Sequence, residues 1–453
     1  MDAIDNHYFS ELETNYDWEK YLISLKCEAG ELNILDTSKP LTKEGEKNAS
    51  FFIHEYIHYL QNFSSTWGIT IFADFAFALI EIGASSSDNK DVLNIPLTNE
   101  IIDNNLLSKG IQRRKDVINK VNPNNEFERE DGERLKYKLI NSKQDYLTIS
   151  NSRITVPIRG KAIREHMAHL GTLLFLGKDD TKIHEYTETF NGFKYGELTF
   201  ANQPEYWIIF EYYFSLEKFS QLAKGIFFLM QQCLATNTPE NILKRFNDWI
   251  LTKEFAPATL TCFHELVVEW IAEDNIEAIF ETDLKDSKLY CLNIQNKAEP
   301  HMHQNDLLKF THNILGYIVE NIESTSGGRT LYLYDDNFYG LNYWNYKVNQ
   351  YGSGIVRYLD QTMIHGSLEH CKKMEDSFLF LISSSYVLNK VLRLQRPECP
   401  FLDEMPICKA SYRGESNCSQ NPFEMIKNEL HGKECTFANG VLLLGFQNRI
   451  KFN

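Results

Sequence analysis

Residues 48–63, NASFFIHEYIHYLQNF, decide how the chain is read. Their apolar positions recur at helical spacing, and the preceding SKPLTKEGEKNAS supplies turn and capping residues, so a helix running to Phe63 is expected. On a helix, positions i and i+4 share a face one turn apart, which lets His54 and His58 each offer an imidazole nitrogen to one metal ion. Glu55 directly follows the first histidine, so its carboxylate can reach a metal-bound water without being a ligand itself. The other residues between 51 and 60 are uncharged and none is proline, as a buried helix requires. The competing reading is a core helix whose histidines find hydrogen-bond partners. That reading must explain two imidazoles and a carboxylate buried together, which is costly without such partners.

The pattern His54-Glu55-Tyr56-Ile57-His58 resembles the HExxH signature of the zincin metallopeptidases. The resemblance rests on this one helix. It implies a zinc ion held by His54 and His58, with Glu55 as the general base toward a zinc-bound water that attacks a carbonyl. A catalytic zinc needs a third protein ligand. In metzincins the motif continues to a glycine and a third histidine, but Gln61 and Ser64 occupy those positions here, so an acidic ligand further downstream, of the gluzincin kind, is implied.

Glu165, in RGKAIREHMAHLG, is the leading candidate. Gluzincin-like enzymes present this ligand from a second helix with a small residue close behind it, and Ala168 stands three positions after Glu165. Glu81, in the apolar FALIEIG, is the rival, and Glu265 and Glu269 in CFHELVVEWIAED come third. A donor to the developing oxyanion is expected as well, with His166, His169, His264 and many tyrosines open to that role. Peptide deformylases share HExxH but add a cysteine ligand in an EGCLS-like setting, which no cysteine here has.

The bulk of the chain limits what surrounds such a site. At 453 residues it exceeds the roughly 250 to 300 at which single cores stop growing, so more than one packed region is expected. Hydrophobic residues make up 43% and charged residues 24%, which suits a globular protein rather than a disordered one. A net charge of -16 repels phosphate, which argues against nucleic acid or an anionic membrane as partner. The acidic start, MDAIDNHYFSELETNYDW, lacks the basic segment and apolar core of a secretory signal. The longest apolar stretch, ITIFADFAFALIEIGA at residues 69–84, is too short to span a bilayer and carries Asp74 and Glu81, so it reads as a buried helix. Nine cysteines without a signal suit a reducing compartment, and the cytoplasm is the expected address.

The expected fold is α+β and mainly helical: a zincin-like catalytic core with a small mixed sheet, and a large helical C-terminal region. Residues 1–200 form the catalytic region, with a charged insertion at about 85–131; residues 201–395 form a mainly helical region; residues 396–453 form a cysteine-containing tail. A strand pair is expected around the EAGE turn within residues 18–35, and further strands at LKYKLI, DYLTI and RITVPIRG before KAIREHMAHLGTLLFLG turns helical. Helices are expected within residues 205–236, after the start TPENILKRFNDWIL marked by Thr238, Pro239 and Glu240, and at 261–275, 305–323 and 376–394. The aromatic stretch at residues 329–352 reads as strands or an aromatic-lined loop. In the tail, Cys399, Cys408, Cys418 and Cys435 could hold a second, structural zinc, but none of their spacings is of the CxxC type, so packed thiols are favoured over zinc and disulfides come last.

These expectations converge on a zinc-dependent peptidase that hydrolyses a protein or peptide substrate, held in check by a regulatory protein partner or by narrow recognition. The alternative is a zincin scaffold used as a non-catalytic or regulatory zinc-binding module for protein interaction.

Overall fold

The computed structural model describes residues 15–17, 22–25, 27–32, 42–73, 76, 93–95, 138–140, 147–150, 155–176, 219–253, 263–299, 306–324, 341–351, 355–358, 363–365 and 450–452. In chain order the elements are β1 (Asn15–Asp17), β2 (Leu22–Ser24), α1 (Lys43–Ser64), β3 (Leu93–Ile95), β4 (Lys138–Ile140), β5 (Thr148–Ser150) and β6 (Thr155–Pro157). They continue with α2 (Gly160–Leu176), α3 (Phe219–Leu234), α4 (Pro239–Thr252), α5 (Phe263–Glu273), α6 (Ile276–Ala298), α7 (Asp306–Ser324), α8 (Leu341–Tyr351), β7 (Ile355–Arg357), β8 (Met363–His365) and β9 (Ile450–Phe452). The described residues are mainly helical, and every strand among them is three residues long.

Local chemistry sets the ends of α1. Thr42 caps its start, the hydroxyl oxygen accepting from the Gly45 amide at 3.0 Å, which satisfies one of the donors a first turn leaves open. Ser65 ends it in extended backbone and donates its amide and its hydroxyl to the Gln61 carbonyl, at 3.2 and 2.6 Å. The same hydroxyl accepts from the Gly68 amide at 3.0 Å, so Ser65 also caps the helical residues 66–73 that follow. Ile69, Phe72, Ala73 and Ala76 are buried, as expected for this part of the apolar stretch.

From Asn48 to Asn62 every residue of α1 except Phe51 is buried, so this helix is the centre of the core rather than an amphipathic surface element. Tyr56 stacks between Phe52 and Tyr59 and meets Trp344 of α8 edge-on. Each such fully buried large side chain contributes about 1.5–3 kcal/mol of hydrophobic stabilisation. On the opposite side α1 packs against α2, which packs in turn against α3, with α3 resting on α5. Gly171 makes the α1–α2 approach close: a Cβ there would collide with the Ile57 side chain on one helix and crowd Phe227 on α3.

Three sheets surround the helices. β4, β5 and β6 form an antiparallel sheet from the segments expected to be strands, and the Ile158 amide donates to the Leu147 carbonyl at 2.8 Å, prolonging the pairing almost to the first turn of α2. A mixed sheet runs β1-β2-β7-β8, with β2 parallel to β7 and the other pairs antiparallel. β3 pairs with β9 in parallel, joining a strand inside the expected insertion to the chain's end. Among the described residues no helix is long and apolar enough to cross a membrane.

The expected helices at α2, α4, α5 and α7 are present, with Pro239 and Glu240 in the first turn of α4 as expected, although the Thr238 side chain makes no cap bond. Two expectations change. The N-terminal strand pair is β1 with β2, while EAGE forms a separate turn closed by a 3.0 Å bond from the Glu31 amide to the Glu28 carbonyl. Residues 341–351, read as strand or loop, are helix α8, because Tyr343 and Trp344 are buried where α8 meets α1. The long α6, which pairs with α7, was not singled out by the sequence pattern. Residues 376–394 lie outside the described residues, as do the four tail cysteines, Glu81 and most of residues 85–131.

Candidate metal centre

The i and i+4 positions of α1 bring His54 and His58 side by side, their rings edge to face with centroids 4.9 Å apart. His54, Glu55 and His58 are all buried, and each offers a ligand atom within 4.8 Å of the other two, a group able to hold a metal ion. Glu165 meets them from α2. One of its oxygens, Oε2, lies 3.0 Å from His58 Nε2 and 3.7 Å from His54 Nε2, and its side chain is only 16% exposed. The first distance is a hydrogen bond and the second a close ion-pair contact.

Burial is the strongest influence on these groups and it opposes charge on each. It holds His58 down to about 4, below the usual 6.5, with Glu165 only partly offsetting it and Arg164 adding to it. For His54 burial also acts downward, but the carboxylates of Glu165 and Glu55 outweigh it and the result is a raised value. Glu165 is pushed up by burial and pulled down further by the two histidines and Arg164, so it stays ionised. Near neutral pH the site therefore contains an ionised Glu165, an imidazole of His58 that does not take up a proton, and a His54 that takes one up more readily than a free imidazole.

Gln61, one turn beyond His58 and 1% exposed, was noted in the sequence only as a departure from the metzincin pattern. Its Nε2 donates to the Arg164 carbonyl on α2 at 3.1 Å, and its Oε1 lies 2.9 Å from His58 Nδ1. A neutral His58 has one N–H, yet oxygen acceptors face both of its nitrogens, Gln61 Oε1 on one side and Glu165 Oε2 on the other. One imidazole lone pair must therefore point at an oxygen. A cation among His54 Nε2, His58 Nε2 and Glu165 Oε2 relieves that conflict, and two imidazoles with a carboxylate are a donor set that fits a divalent metal.

Glu265 and Glu269 are exposed on α5, and Glu269 is paired with Lys253 at 3.3 Å, which explains both as surface carboxylates. Of the three histidines weighed as oxyanion donors, His169 is brought to the centre: it lies one turn beyond Glu165, and its ring is 4.5 Å from that of His54. Burial, and then the neighbouring His54, hold it well below its usual value. His166 instead donates Nδ1–H to the Ala162 carbonyl of its own helix at 2.6 Å, and the ring of His264 packs against Phe228. Compared with models of known protein families, with curated proteins and with solved structures, the chain matches none.

Proposed function

We propose that the chain is a zinc-dependent peptidase of the zincin type, with His54, His58 and Glu165 as zinc ligands and Glu55 as general base. The observation that carries this reading is the convergence of Glu165 Oε2 on both histidines, 3.0 and 3.7 Å from their Nε2 atoms, with Glu55 beside them. When bound, zinc supplies Lewis acidity toward a carbonyl oxygen and lowers the pKa of water to about 7. Glu55 then takes the proton from the attacking water and hands it to the leaving amine nitrogen, a transfer worth about 10²–10⁴ in rate when the base is well placed. His169 stands on the same helix as Glu165, on the side of His54, where a donor to the oxyanion is needed. A protein or peptide substrate, basic or apolar rather than acidic, suits a chain of net charge -16. Cytoplasmic residence and restraint by a protein partner belong to the same reading.

One observation favours a second reading. Glu55 itself lies within ligand distance of the two histidines. Were it to coordinate alongside Glu165, four protein ligands would close the site, and a closed zinc site is structural, as in a non-catalytic or regulatory interaction module. Glu55→Gln separates the two. The peptidase reading expects zinc content near one per chain to be retained while hydrolysis of an unstructured peptide library falls about 10²–10⁴-fold. Loss of zinc together with unchanged background hydrolysis would favour the closed site. A wild type that takes up no zinc would end both readings.

A further inference from the structure

Gln61 is a neutral amide buried in the core of α1, and every part of its side-chain head has a defined partner. Nε2 has hydrogens only to give, and it gives one to the Arg164 carbonyl at 3.1 Å. That bond decides which way the amide faces, so the atom turned toward His58 is Oε1, a pure acceptor, 2.9 Å from Nδ1. An acceptor fixed at Nδ1 favours the tautomer in which Nδ1 holds the hydrogen and Nε2 keeps its lone pair, a preference that the ionised Glu165 at Nε2 opposes until a cation lies between the two. Nε2 is the atom that faces Glu165.

We propose that Gln61 is the positioning residue of the metal centre: through its clamp on Arg164 it holds His58 as the Nδ1–H tautomer, presents Nε2 as the ligand atom, and ties α1 to α2 one residue before Glu165. This deepens the zinc reading and rests on it. Two of the ligands stand on α1 and the third on α2, so the site exists only while the two helices keep their register. The side chain of Gln61 joins a ligand imidazole on one helix to the main chain beside the ligand carboxylate on the other. Once Nε2 is a ligand, Nδ1–H is the only hydrogen left on the ring, and it meets an acceptor already fixed in place. Such outer partners orient a ligating histidine and raise its basicity, and their loss weakens metal binding by about 10–100-fold.

The test uses the full chain, zinc(II) as probe, and two variants. Gln61→Met keeps the shape of the side chain and removes both hydrogen bonds. Gln61→Glu keeps an oxygen acceptor toward His58 Nδ1 in either of its protonation states. Zinc affinity, read by competition with a chelator, is expected to fall about 10–100-fold in Gln61→Met and to return to within about 3-fold of wild type in Gln61→Glu. In the zinc-loaded wild type, ¹⁵N spectra of labelled histidine, assigned by His58→Gln, are expected to show the His58 Nδ1–H hydrogen-bonded and protected from exchange.

Affinity unchanged in Gln61→Met, or a His58 Nδ1–H that exchanges freely in the loaded wild type, overturns the proposal while leaving the zinc reading intact. A wild type that binds no zinc overturns the zinc reading and the proposal with it. The wild-type spectrum decides the matter even if Gln61→Met does not fold.

Discussion

Carboxylates meet nitrogen in two quite different ways in this molecule. On α4, α5 and the turn that follows α5, exposed acids face cations with hydrogens to spare: Arg245 grips Asp274 through two bonds of 3.0 and 3.1 Å, and Lys253 reaches Glu273 at 2.8 Å and Glu269 at 3.3 Å. Water reaches all of them, so proton and charge are balanced and little depends on the pairs. Between α1 and α2 the balance is reversed. Glu165 is largely shielded from water, ionised, and faced by two imidazoles, one of which, His58, has an oxygen acceptor at each of its nitrogens and, when neutral, a hydrogen for only one of them. An arrangement that would be an error in a core is what a metal centre is built from. An acidic residue beside a basic one carries functional meaning only where burial and the hydrogen count leave room for a cation.

The sharpest way to break the comparison is to remove one acid from each region. Glu165→Ala is expected to lower zinc affinity by more than about 100-fold, beyond the loss typical of an outer-shell partner. Glu269→Ala is expected to leave it unchanged, because Glu269 is exposed and already partnered by Lys253. Chelator competition on both variants and the wild type checks this. Equal affinity in Glu165→Ala and the wild type would remove Glu165 from the ligand set and return Glu81 to consideration.

How far the sequence reaches can be judged from the same residues. The α1 helix and the pairing of His54 with His58 follow from spacing alone, because four residues return a side chain to the same face whatever the tertiary fold. Glu165 was expected beside them only through the gluzincin resemblance, which asks for a small residue three positions behind it where the helices cross. Ala168 is buried, and the close approach the geometry documents is at Gly171, against Ile57. Gln61 was not legible as a partner of His58, since what orients its amide is a carbonyl on another helix. The α8 helix was misread because Tyr, Trp and Asn favour strands or turns, and burial of Trp344 against Tyr56 overrides that preference. Strands of three residues carry too little alternation to be located, which is why the partner of β2 was expected beyond EAGE when it is β1, before residue 18.

A smaller effect lies in the pH dependence of the metal-free protein. His58 has a folded value of about 4 against 6.5, so the unfolded chain binds more protons between these limits and stability is lost as pH falls across them, by about 3 kcal/mol at most. Glu165, depressed below 4.5, adds a further loss as pH falls below that value. His54 acts in the opposite sense: its value is raised, so its contribution is present below 6.5 and lost as pH rises through the folded value. Chemical denaturation of chelator-treated protein from pH 4 to 8 should therefore show a maximum near 6.5 with the steeper fall on the acid side. In Glu165→Gln the part of that fall below pH 4.5 should shrink. A flat acid limb would mean that His58 is not held in its neutral form by burial. Zinc-induced stabilisation should weaken as pH falls through the raised value of His54, since a proton and a metal compete for the same nitrogen.

The smallest effect is expected where the drawn interactions are most numerous. Arg245→Gln removes the bidentate contact with Asp274, the best-shaped ion pair on the α4–α6 surface. Its side chains are 44% and 33% exposed, so both charges are well solvated with or without each other. The melting temperature should move by no more than about 2 °C, and zinc affinity not at all. Calorimetry of the variant at low and high salt checks this, because a pair that matters would lose its contribution as salt screens it. A shift several times larger, vanishing in salt, would show that the surface network stabilises the packing of α4 against α5, and would weaken the claim that only the buried acid between α1 and α2 has consequences beyond its own location.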